Sequence, residues 1–329
     1  MHDLISILAN ILFNVEVLHL SFDLAFKRVC EKRRCMVKGL SRESIYSIAR
    51  DFISNYYLLL EILRTKGIKY TRKELAKLYL TIQRDVLGIK IPSKFLKRYG
   101  ELKSIDKLKD SFSSRPWIKY SYPRWLYEHL KTLLGAKEAE ELLESLNTRN
   151  IWLRINTLKI DVDKAIKLIE GEGIVIERDR DLWYMLKVIH IPKPIHRVNA
   201  VKKGYVIPQD KASALVVEAL KPEPGMKIYD LTAAPGIKTS LIMQLTENKA
   251  YIIAFDVSRK RLKAMKHLLK FLGVDTSRID IVLADSRIID MRKKADVVLI
   301  DAPCSSSGAI PKDPAIKIHL ANRDRVSYY

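Results

Sequence analysis

The sequence predicts an α/β fold with a doubly wound parallel sheet in its C-terminal third, preceded by an all-helical segment and a small α+β module. Three observations carry this prediction. Apolar, β-branched runs alternate with helical segments from about residue 201. An acidic residue follows each of these runs. The first 105 residues place apolar side chains at helical spacing. The predicted segments are therefore 1–110, 111–200 and 201–329.

The first segment, residues 1–110, has the pattern of a small basic bundle of helices. After Ser41, apolar residues recur at helical spacing until Gly67 can end the run. Thr71 followed by Glu74 is a capping-box pattern, which predicts the start of another helix. We therefore expect helices throughout this segment.

The middle segment, residues 111–200, is predicted to be a compact α+β module. Residues 106–122 are polar and aromatic without sustained periodicity, and they form a candidate linker. Pro123 can open a helix that Gly135 ends, with a second helix behind it. The pattern then predicts a strand over 151–158, a helix over 163–170 and a strand over 174–177.

The last segment, residues 201–329, is predicted to form the parallel sheet. Its apolar runs predict strands over 227–231, 251–256, 280–284 and 295–300. Helical segments over 238–245 and 259–272 follow the first two strands, and the third crossover, over 286–294, is short. In such sheets ligands bind at the carboxyl ends of the strands.

Acidic residues stand at the ends of these four predicted strands. Asp230 precedes a run of small residues and a helix start, where the backbone can approach a ligand and offer free N–H groups. The glycine triplet of nicotinamide dinucleotide sites is absent. Asp256 suits hydrogen bonding to ribose hydroxyls, and Asp285 and Asp301 follow the next two strands. One such carboxylate can be a cap, but four at consecutive strand ends predict a ligand site.

Four motifs at these strand ends resemble, in order and spacing, those of the Sun/Fmu-type (NOP2/Sun) RNA 5-methylcytosine methyltransferases. They are DLTAAPGIKTS, FDVSRKRL, LADSR and DAPCSSSG. LRINTLK at 153–159 and VIPQDKAS at 206–213 resemble further family signatures, so the resemblance covers about residues 118–318. It implies a Rossmann-like methyltransferase domain that uses S-adenosyl-L-methionine. The helical segment resembles, less closely, the NusB-like RNA-binding domain that many members carry.

The resemblance also implies roles for individual residues. Asp301 would lie between cofactor and target base, Lys238 would point toward the same pocket, and Cys304 would assist release of the methylated base. The reaction uses a thiolate that adds to carbon 6 of cytosine, followed by methyl transfer and removal of the carbon 5 proton. The implied cofactor contacts are Thr232, Ala233, Ala234, Pro235, Gly236, Ile237, Lys238, Asp256, Arg261, Asp285 and Asp301.

The sequence departs from the family pattern in two respects. Thr232 and Ile237 replace the usual Cys and second Gly of the first motif, and the branched Ile237 is expected to crowd the cofactor. The family's nucleophile lies in a Thr-Cys motif on the next strand, whereas the sequence in hand has no second cysteine after Cys304. It therefore predicts a methyltransferase domain that lacks its C-terminal strands. Three explanations stay open: a fragment, a second polypeptide that supplies the missing strands, or Cys304 acting as nucleophile.

The charge and the cysteine content indicate the kind of partner and the cellular compartment. The 59 Lys and Arg against 38 Asp and Glu give a net charge of +21, which predicts a polyanionic partner and favours RNA over a merely solvated basic surface. Three cysteines are too few for a disulfide scaffold and predict a reducing compartment. Cys30 and Cys35 lack metal-ligand spacing, so no metal is expected.

The prediction from sequence is therefore a soluble, cytoplasmic enzyme. Residues 4–26 are interrupted by polar side chains, so no membrane span is expected. The predicted function is methylation of cytosine carbon 5 in rRNA or tRNA. The alternative from another class is a catalytically inactive RNA-binding protein. The aromatic residues between Trp117 and Trp125 can stack on RNA bases or pack at a domain junction, and packing is the favoured interpretation.

Overall fold

The computed structural model describes residues 2–31, 35–100, 102 and 104–321. They divide into two compact units, Met1–Arg149 with Pro303–Tyr329, and Asn150–Ala302. The helices are α1 (His2–Glu16), α2 (Phe22–Val29), α3 (Arg42–Ser54), α4 (Tyr56–Thr65), α5 (Arg72–Ile82), α6 (Arg84–Leu87), α7 (Ser93–Tyr99), α8 (Ile105–Asp110), α9 (Pro116–Lys119), α10 (Arg124–Leu134), α11 (Ala136–Ser145), α12 (Val162–Glu170), α13 (Asn199–Lys202), α14 (Lys211–Leu220), α15 (Ile237–Leu245), α16 (Arg259–Phe271) and α17 (Ala315–His319). The strands are β1 (Ile151–Ile155), β2 (Val175–Arg178), β3 (Met185–His190), β4 (Val206–Pro208), β5 (Lys227–Asp230), β6 (Tyr251–Asp256), β7 (Ile279–Leu283) and β8 (Val297–Leu299).

The described part of the first unit is helical, as predicted. The Thr71 hydroxyl accepts a hydrogen bond from the Glu74 N–H at 3.0 Å, which confirms the capping pattern at the start of α5. The long helical run predicted after Ser41 is instead two helices, α3 and α4. The chain leaves helical geometry at Asn55, whose side-chain amide donates to the Asp51 carbonyl at 2.9 Å. The periodicity survives the break because both helices bury their apolar faces in one core.

The candidate linker over 106–122 was a wrong prediction. This stretch contains most of α8 and all of α9, and Ile118, Tyr120 and Tyr122 are buried. Short helices held by tertiary packing leave no sustained periodicity in the sequence, so the pattern alone could not reveal them. Burial of these rings also supports the packing interpretation of the aromatic residues.

The division into units differs from the three predicted segments. Helices α9 to α11 belong to the first unit rather than to the α+β module. Residues 303–321 belong there as well, although their sequence follows the parallel sheet. The physical reason is a shared core, in which Ile310 and Leu320 pack with Tyr122 and Leu126. The three-segment division stays a prediction from sequence.

Cys30 and Cys35 are joined by a disulfide in the first unit, a pairing that the sequence analysis did not predict. Their Cα atoms are 4.9 Å apart, a separation that a disulfide can bridge. Cys30 follows the last residue of α2, and the chain between the two cysteines is short enough to bring them together. Cys304 is the free cysteine, and it is exposed.

The second unit begins with an antiparallel sheet whose strand order is β2-β3-β1-β4. Along the chain its elements follow the sequence strand, helix, strand, strand, helix, strand, with α12 and α13 as the two helices. This is the ferredoxin-like arrangement. The strand predicted at 151–158 is present in shortened form as β1, and the strand predicted at 174–177 is present as β2, shifted by one residue. The sequence analysis did not predict β3 and β4. The α+β character of the module is confirmed.

The second sheet of this unit is entirely parallel, with the order β7-β6-β5-β8. All four predicted strands and both predicted helices are present within a few residues of their expected bounds. The order places the first strand of the motif series, β5, in the middle, as in Rossmann-like sheets. The apolar side chains of β5, β6, α15 and α16 form the core of this unit. Among the described residues, no helix is long and apolar enough to cross a membrane.

Candidate active site

The carboxyl edge of the parallel sheet brings the predicted acidic residues to one side of the second unit. Asp230 and Asp256 are the last residues of β5 and β6, and both are buried. Asp285 and Asp301 follow the ends of β7 and β8 by two residues each. Because the strands are parallel, their carboxyl ends meet at the same edge. The structure therefore places all four carboxylates along one candidate site.

The loop between β5 and α15 is held against the two neighbouring strands. The Leu231 N–H donates to the Leu299 carbonyl at 2.9 Å, and the Ala233 N–H donates to the Phe255 carbonyl at 2.8 Å. The Ala234–Pro235 peptide is cis. Ala233 and Ala234 are small and buried, and the helix start that follows them offers backbone N–H groups to a ligand.

Gly236 ends this loop in a backbone conformation that requires glycine. Its φ is +101°, and a Cβ at this position would lie 2.8 Å from Cγ of Met265 on α16. The absence of a side chain allows α15 and α16 to approach closely at the site. Ile237, expected to crowd the cofactor, is half-buried and packs against the core of the unit.

Asp230 lies beneath the loop, with its carboxylate almost fully buried. It accepts a hydrogen bond from the Thr239 hydroxyl at 2.7 Å and one from the Thr232 N–H at 3.4 Å. Burial raises the pKa of Asp230 to about 6, and the Thr239 hydrogen bond opposes that rise. The carboxylate therefore ties the strand end to both the loop and the helix.

Lys238 and Asp301 form an ion pair across the edge of the sheet. The Lys238 ammonium lies 2.5 Å from the Asp301 carboxylate, and the Asp301 N–H donates to the Thr232 hydroxyl at 2.8 Å. Asp301 is exposed, whereas the Lys238 side chain is only 18% exposed. The pair joins the start of α15 to the segment after β8 and presents a solvent-accessible carboxylate.

Asp256 and Arg261 connect the end of β6 to the loop. The Asp256 carboxylate accepts from the Ser258 N–H at 2.8 Å and lies 3.3 Å from the Arg261 guanidinium. Arg261 also donates to the Ala234 carbonyl. Arg261 is therefore placed to shape the loop as well as to pair with the carboxylate.

Asp285 differs from Asp230 in its surroundings. The Arg287 guanidinium donates to both carboxylate oxygens, at 3.0 and 2.6 Å. These hydrogen bonds lower the pKa of Asp285 to about 2. The neighbouring Ser286 hydroxyl donates to the Leu231 carbonyl at 2.5 Å, which links this strand end to the loop as well.

Arg154, on β1, is a site residue that reasoning from sequence missed. Its guanidinium is buried and donates to the Ser240 hydroxyl at 2.7 Å and to the Ile237 carbonyl at 3.3 Å, in the first turn of α15. Burial lowers the pKa of Arg154 to about 9. A single arginine within the apolar run IWLRI was the available signal, because a charged residue in a buried strand needs partners.

Cys304 is described with the first unit, three residues after Asp301 in the chain. Its thiol is exposed and accepts from the Ser306 N–H at 3.4 Å. Among the described residues, no cluster of three or more His, Cys, Asp and Glu side chains could hold a metal ion.

Two family models match this chain. Residues 217–328 match the model of the 16S rRNA methyltransferase RsmB/F, and residues 122–191 match the RsmF/B-like ferredoxin-like domain. The second match coincides with much of the antiparallel sheet, and the first contains the whole parallel sheet. The matches thus agree with the observed order of the two sheets.

Curated relatives match somewhat less than two thirds of this chain. The probable ribosomal RNA small subunit methyltransferase B of Coxiella burnetii is 29% identical over 217 residues, which is 64% of this chain and 50% of that protein. The 25S rRNA (cytosine-C(5))-methyltransferase nop2 of Schizosaccharomyces pombe is 32% identical over 208 residues, 62% of this chain and 34% of that protein. The chain spans about half the length of the bacterial relatives it matches.

Solved structures resemble the chain over different extents. The crystal structure of PH0851 matches with a TM-score of 0.71 and 27% identity, covering 98% of this chain and 80% of that one. The structure of NSun6 from Pyrococcus horikoshii with SFG matches with a TM-score of 0.52 and 26% identity, covering 57% and 72%. The first match extends over the helical segment too.

The parallel sheet is Rossmann-like, and its part of the chain matches the family model of a methyltransferase. The ferredoxin-like family model and the relatives narrow the resemblance from methyltransferases in general to rRNA methyltransferases. The chain is similar to the Sun/Fmu (NOP2/Sun) RNA 5-methylcytosine methyltransferases in its motifs, in both family models that it matches and in these relatives.

Proposed function

We propose that this chain methylates carbon 5 of cytosine in RNA, using a cofactor site in its second unit, with ribosomal RNA as the first substrate class to test. The observation that carries this proposal is the carboxyl edge of the parallel sheet. There the β5–α15 loop, the Lys238–Asp301 pair and the Asp256 carboxylate lie together. The relatives named for rRNA methylation support the choice of rRNA over tRNA.

The cofactor of this domain is S-adenosyl-L-methionine, which supplies the methyl group. The residues at the edge fit such a molecule. The loop from Thr232 to Lys238 offers small side chains and the free N–H groups of a helix start to the methionine part. We assign the ribose to Asp256 and the adenine to the region of Asp285, because carboxylates at these strand ends can accept hydroxyl and amine hydrogens.

Asp301 is the residue we assign to the target base. Its exposed carboxylate is paired with Lys238, and its backbone N–H donates to the Thr232 hydroxyl. The carboxylate is therefore already positioned to accept a hydrogen bond from the cytosine amine. Cys304 is assigned to release of the methylated base, and because the sequence has no cysteine after it, transfer by this chain alone requires its thiolate to attack carbon 6 of cytosine as well. After methyl transfer the carbon 5 proton leaves, and the bond between the sulfur and carbon 6 then breaks to free the methylated base. Lys238 is a positioning residue for Asp301.

Residues 1–110 are assigned to RNA binding as a NusB-like domain, and the protein is assigned to the cytoplasm. Residues 1–110 carry 22 Lys and Arg against 12 Asp and Glu, so this part contributes much of the net positive charge. Such a surplus favours contacts with the phosphates of an RNA backbone.

The test is incubation of the full chain with methyl-labelled S-adenosylmethionine and rRNA, followed by nucleoside analysis. We expect label in 5-methylcytidine, and we expect Asp301→Asn to reduce the rate by about 100-fold. Exposed Asp280 on β7 supplies the matched control, Asp280→Asn, which should keep the wild-type rate. Cofactor and RNA binding without transfer would support the alternative, an inactive RNA-binding protein.

A further inference from the structure

The helices of the first unit bind the segment that follows Cys304 through hydrogen bonds and apolar packing. This segment, residues 310–320, ends in α17 and is held by helices from several parts of the unit. Side chains and backbone groups elsewhere in the unit donate hydrogen bonds to it: Arg50 to the Pro311 and Lys312 carbonyls (2.5 and 2.8 Å), the Phe22 N–H to Asp313 (3.0 Å), the Tyr57 hydroxyl to the Lys317 carbonyl (3.2 Å) and the Trp125 indole to the Leu320 carbonyl (2.7 Å).

Lys317 is the centre of this attachment. Its side chain is 1% exposed, and its ammonium donates to the Ser54 carbonyl at 3.0 Å, the Tyr120 carbonyl at 3.1 Å and the Asn147 side chain at 2.5 Å. These three acceptors use all three N–H groups of the ammonium. The ammonium also lies 4.1 Å from the centre of the Tyr122 ring.

The partners of Lys317 are unusual for a buried amine. None of its three hydrogen-bond acceptors is a carboxylate. Burial therefore lowers the pKa of Lys317 well below its usual value. A buried amine is costly to a fold that needs only packing, since an apolar side chain fills the same volume more cheaply. Its acceptors come from α3, the end of α9 and the end of α11, so the amine joins three separate pieces of the unit to one point of α17.

Apolar packing reinforces the same attachment close to Cys304. Ile310, six residues after the cysteine, is 2% exposed and belongs to the core formed with Tyr120 and Tyr122. Between them, the Ala309 N–H donates to the Ser306 carbonyl at 2.8 Å in a tight turn. A short loop with a fixed end has few conformations, so anchoring residues 310–320 restricts where the Cys304 thiol can lie.

We propose that the helical unit is the scaffold that positions the Cys304 loop, and that Lys317 and Arg50 are its positioning residues. This inference rests on the proposed function for what the loop does in the reaction. The anchoring itself can be measured whether or not the chain transfers methyl groups. The helical unit thereby gains a role beyond any contact with RNA.

Hydrogen–deuterium exchange of the full chain tests the anchoring. In Lys317→Met we expect the amides of residues 309–320 to exchange at least about tenfold faster, while those of β5 and β6 keep their rates. Lys137→Met is the matched control, because Lys137 lies on α11 of the same unit and its side chain is 89% exposed. Arg50→Met provides a second, independent release of the segment if Lys317→Met fails to fold.

Methyl-transfer kinetics test the positioning. We expect Lys317→Met to lower kcat by at least about tenfold and to leave the dissociation constant of S-adenosylmethionine within about twofold of wild type. A purely structural lysine would leave kcat unchanged in folded protein below the melting temperature.

Two results would overturn the proposal. One is unchanged exchange over residues 309–320 in both folded variants, and the other is faster exchange with an unchanged kcat. A wild-type chain that transfers no methyl group would instead refute the proposed function, and the exchange measurement would still decide the anchoring.

Discussion

Two aspartates at the same edge of one sheet acquire opposite properties from their neighbours. The pKa of Asp230 is raised to about 6 because its carboxylate is buried, and that of Asp285 is lowered to about 2 because Arg287 donates to it. The sequence predicts both as acidic strand ends, but it cannot distinguish them. The difference depends on which side chains fold over each carboxylate, and that is a property of the tertiary structure.

Asp230 makes the stability of the second unit depend on pH. Its pKa is higher in the folded state than its usual 3.8, so the folded state binds the proton more tightly. The resulting stabilisation is present in full below about pH 4 and is lost as the pH rises through 6. We expect wild type to lose about 3 kcal/mol relative to Asp230→Asn over this range.

The free energy of unfolding of both proteins is measured with urea at pH values from about 4 to 7. Hydrogen exchange of the β5 and β6 amides reports unfolding of the second unit. Asparagine can still accept the Thr239 hydrogen bond but does not titrate in this range, so the difference between the curves isolates Asp230. Parallel curves over the whole range would contradict the prediction.

Asp256 tests the ribose assignment at the level of one side chain. We expect Asp256→Ala to weaken S-adenosylmethionine binding by about 1–3 kcal/mol, because the ribose hydroxyls lose a buried acceptor. Isothermal calorimetry measures the change, and Asp280→Ala on the neighbouring strand is the control for removing an exposed carboxylate. An affinity equal to wild type in Asp256→Ala would show that the ribose lies elsewhere.

Local sequence patterns predicted the helices and strands whose own residues form an apolar run or a capping motif. The strands from β5 to β8 are apolar runs, and the capping box at Thr71 predicted the start of α5 correctly. The pattern did not reveal β3 and β4, because β4 is three residues long and β3 is exposed at one end. Periodicity also could not show that residues 303–321 join the first unit, since that depends on contacts far apart in the chain.

The junction between the loop and α15 predicts a specific cost for a side chain at Gly236. We expect Gly236→Ala to destabilise the second unit by about 2–5 kcal/mol, because it combines a left-handed φ with a contact at Met265. Gly225 has a φ of +89° and open space where a Cβ would lie, so Gly225→Ala isolates the backbone contribution. Chemical denaturation compares them, and equal losses would refute the steric contribution.

For the molecule as a whole, the composition predicts the kind of partner, whereas the motifs of the candidate site predict the reaction. A net charge of +21 predicts the kind of partner, but it does not define the reaction. The motifs predicted the reaction, and the family models and relatives that the chain matches are those of rRNA methyltransferases. The pairing of Cys30 with Cys35 and the buried Lys317 could not be derived from composition, because both depend on the completed fold.

The charge predicts a strong dependence of RNA binding on salt. Each phosphate contact contributes a slope of about −0.7 to the logarithm of affinity against the logarithm of salt concentration. We expect several such contacts, and therefore at least about a tenfold loss of affinity for single-stranded RNA between about 50 and 200 mM salt. Fluorescence anisotropy with labelled RNA measures it, and an affinity independent of salt would contradict an electrostatic interface.

Methyl transfer to carbon 5 of cytosine must displace the hydrogen from that carbon, so release of this hydrogen reports the proposed reaction itself. RNA carrying tritium at carbon 5 of cytosine loses the label to water only when that position reacts. We expect tritium release that requires both the full chain and S-adenosylmethionine, and that falls sharply in Asp301→Asn. RNA and cofactor that bind while all the tritium stays in the RNA would contradict methyl transfer by this chain.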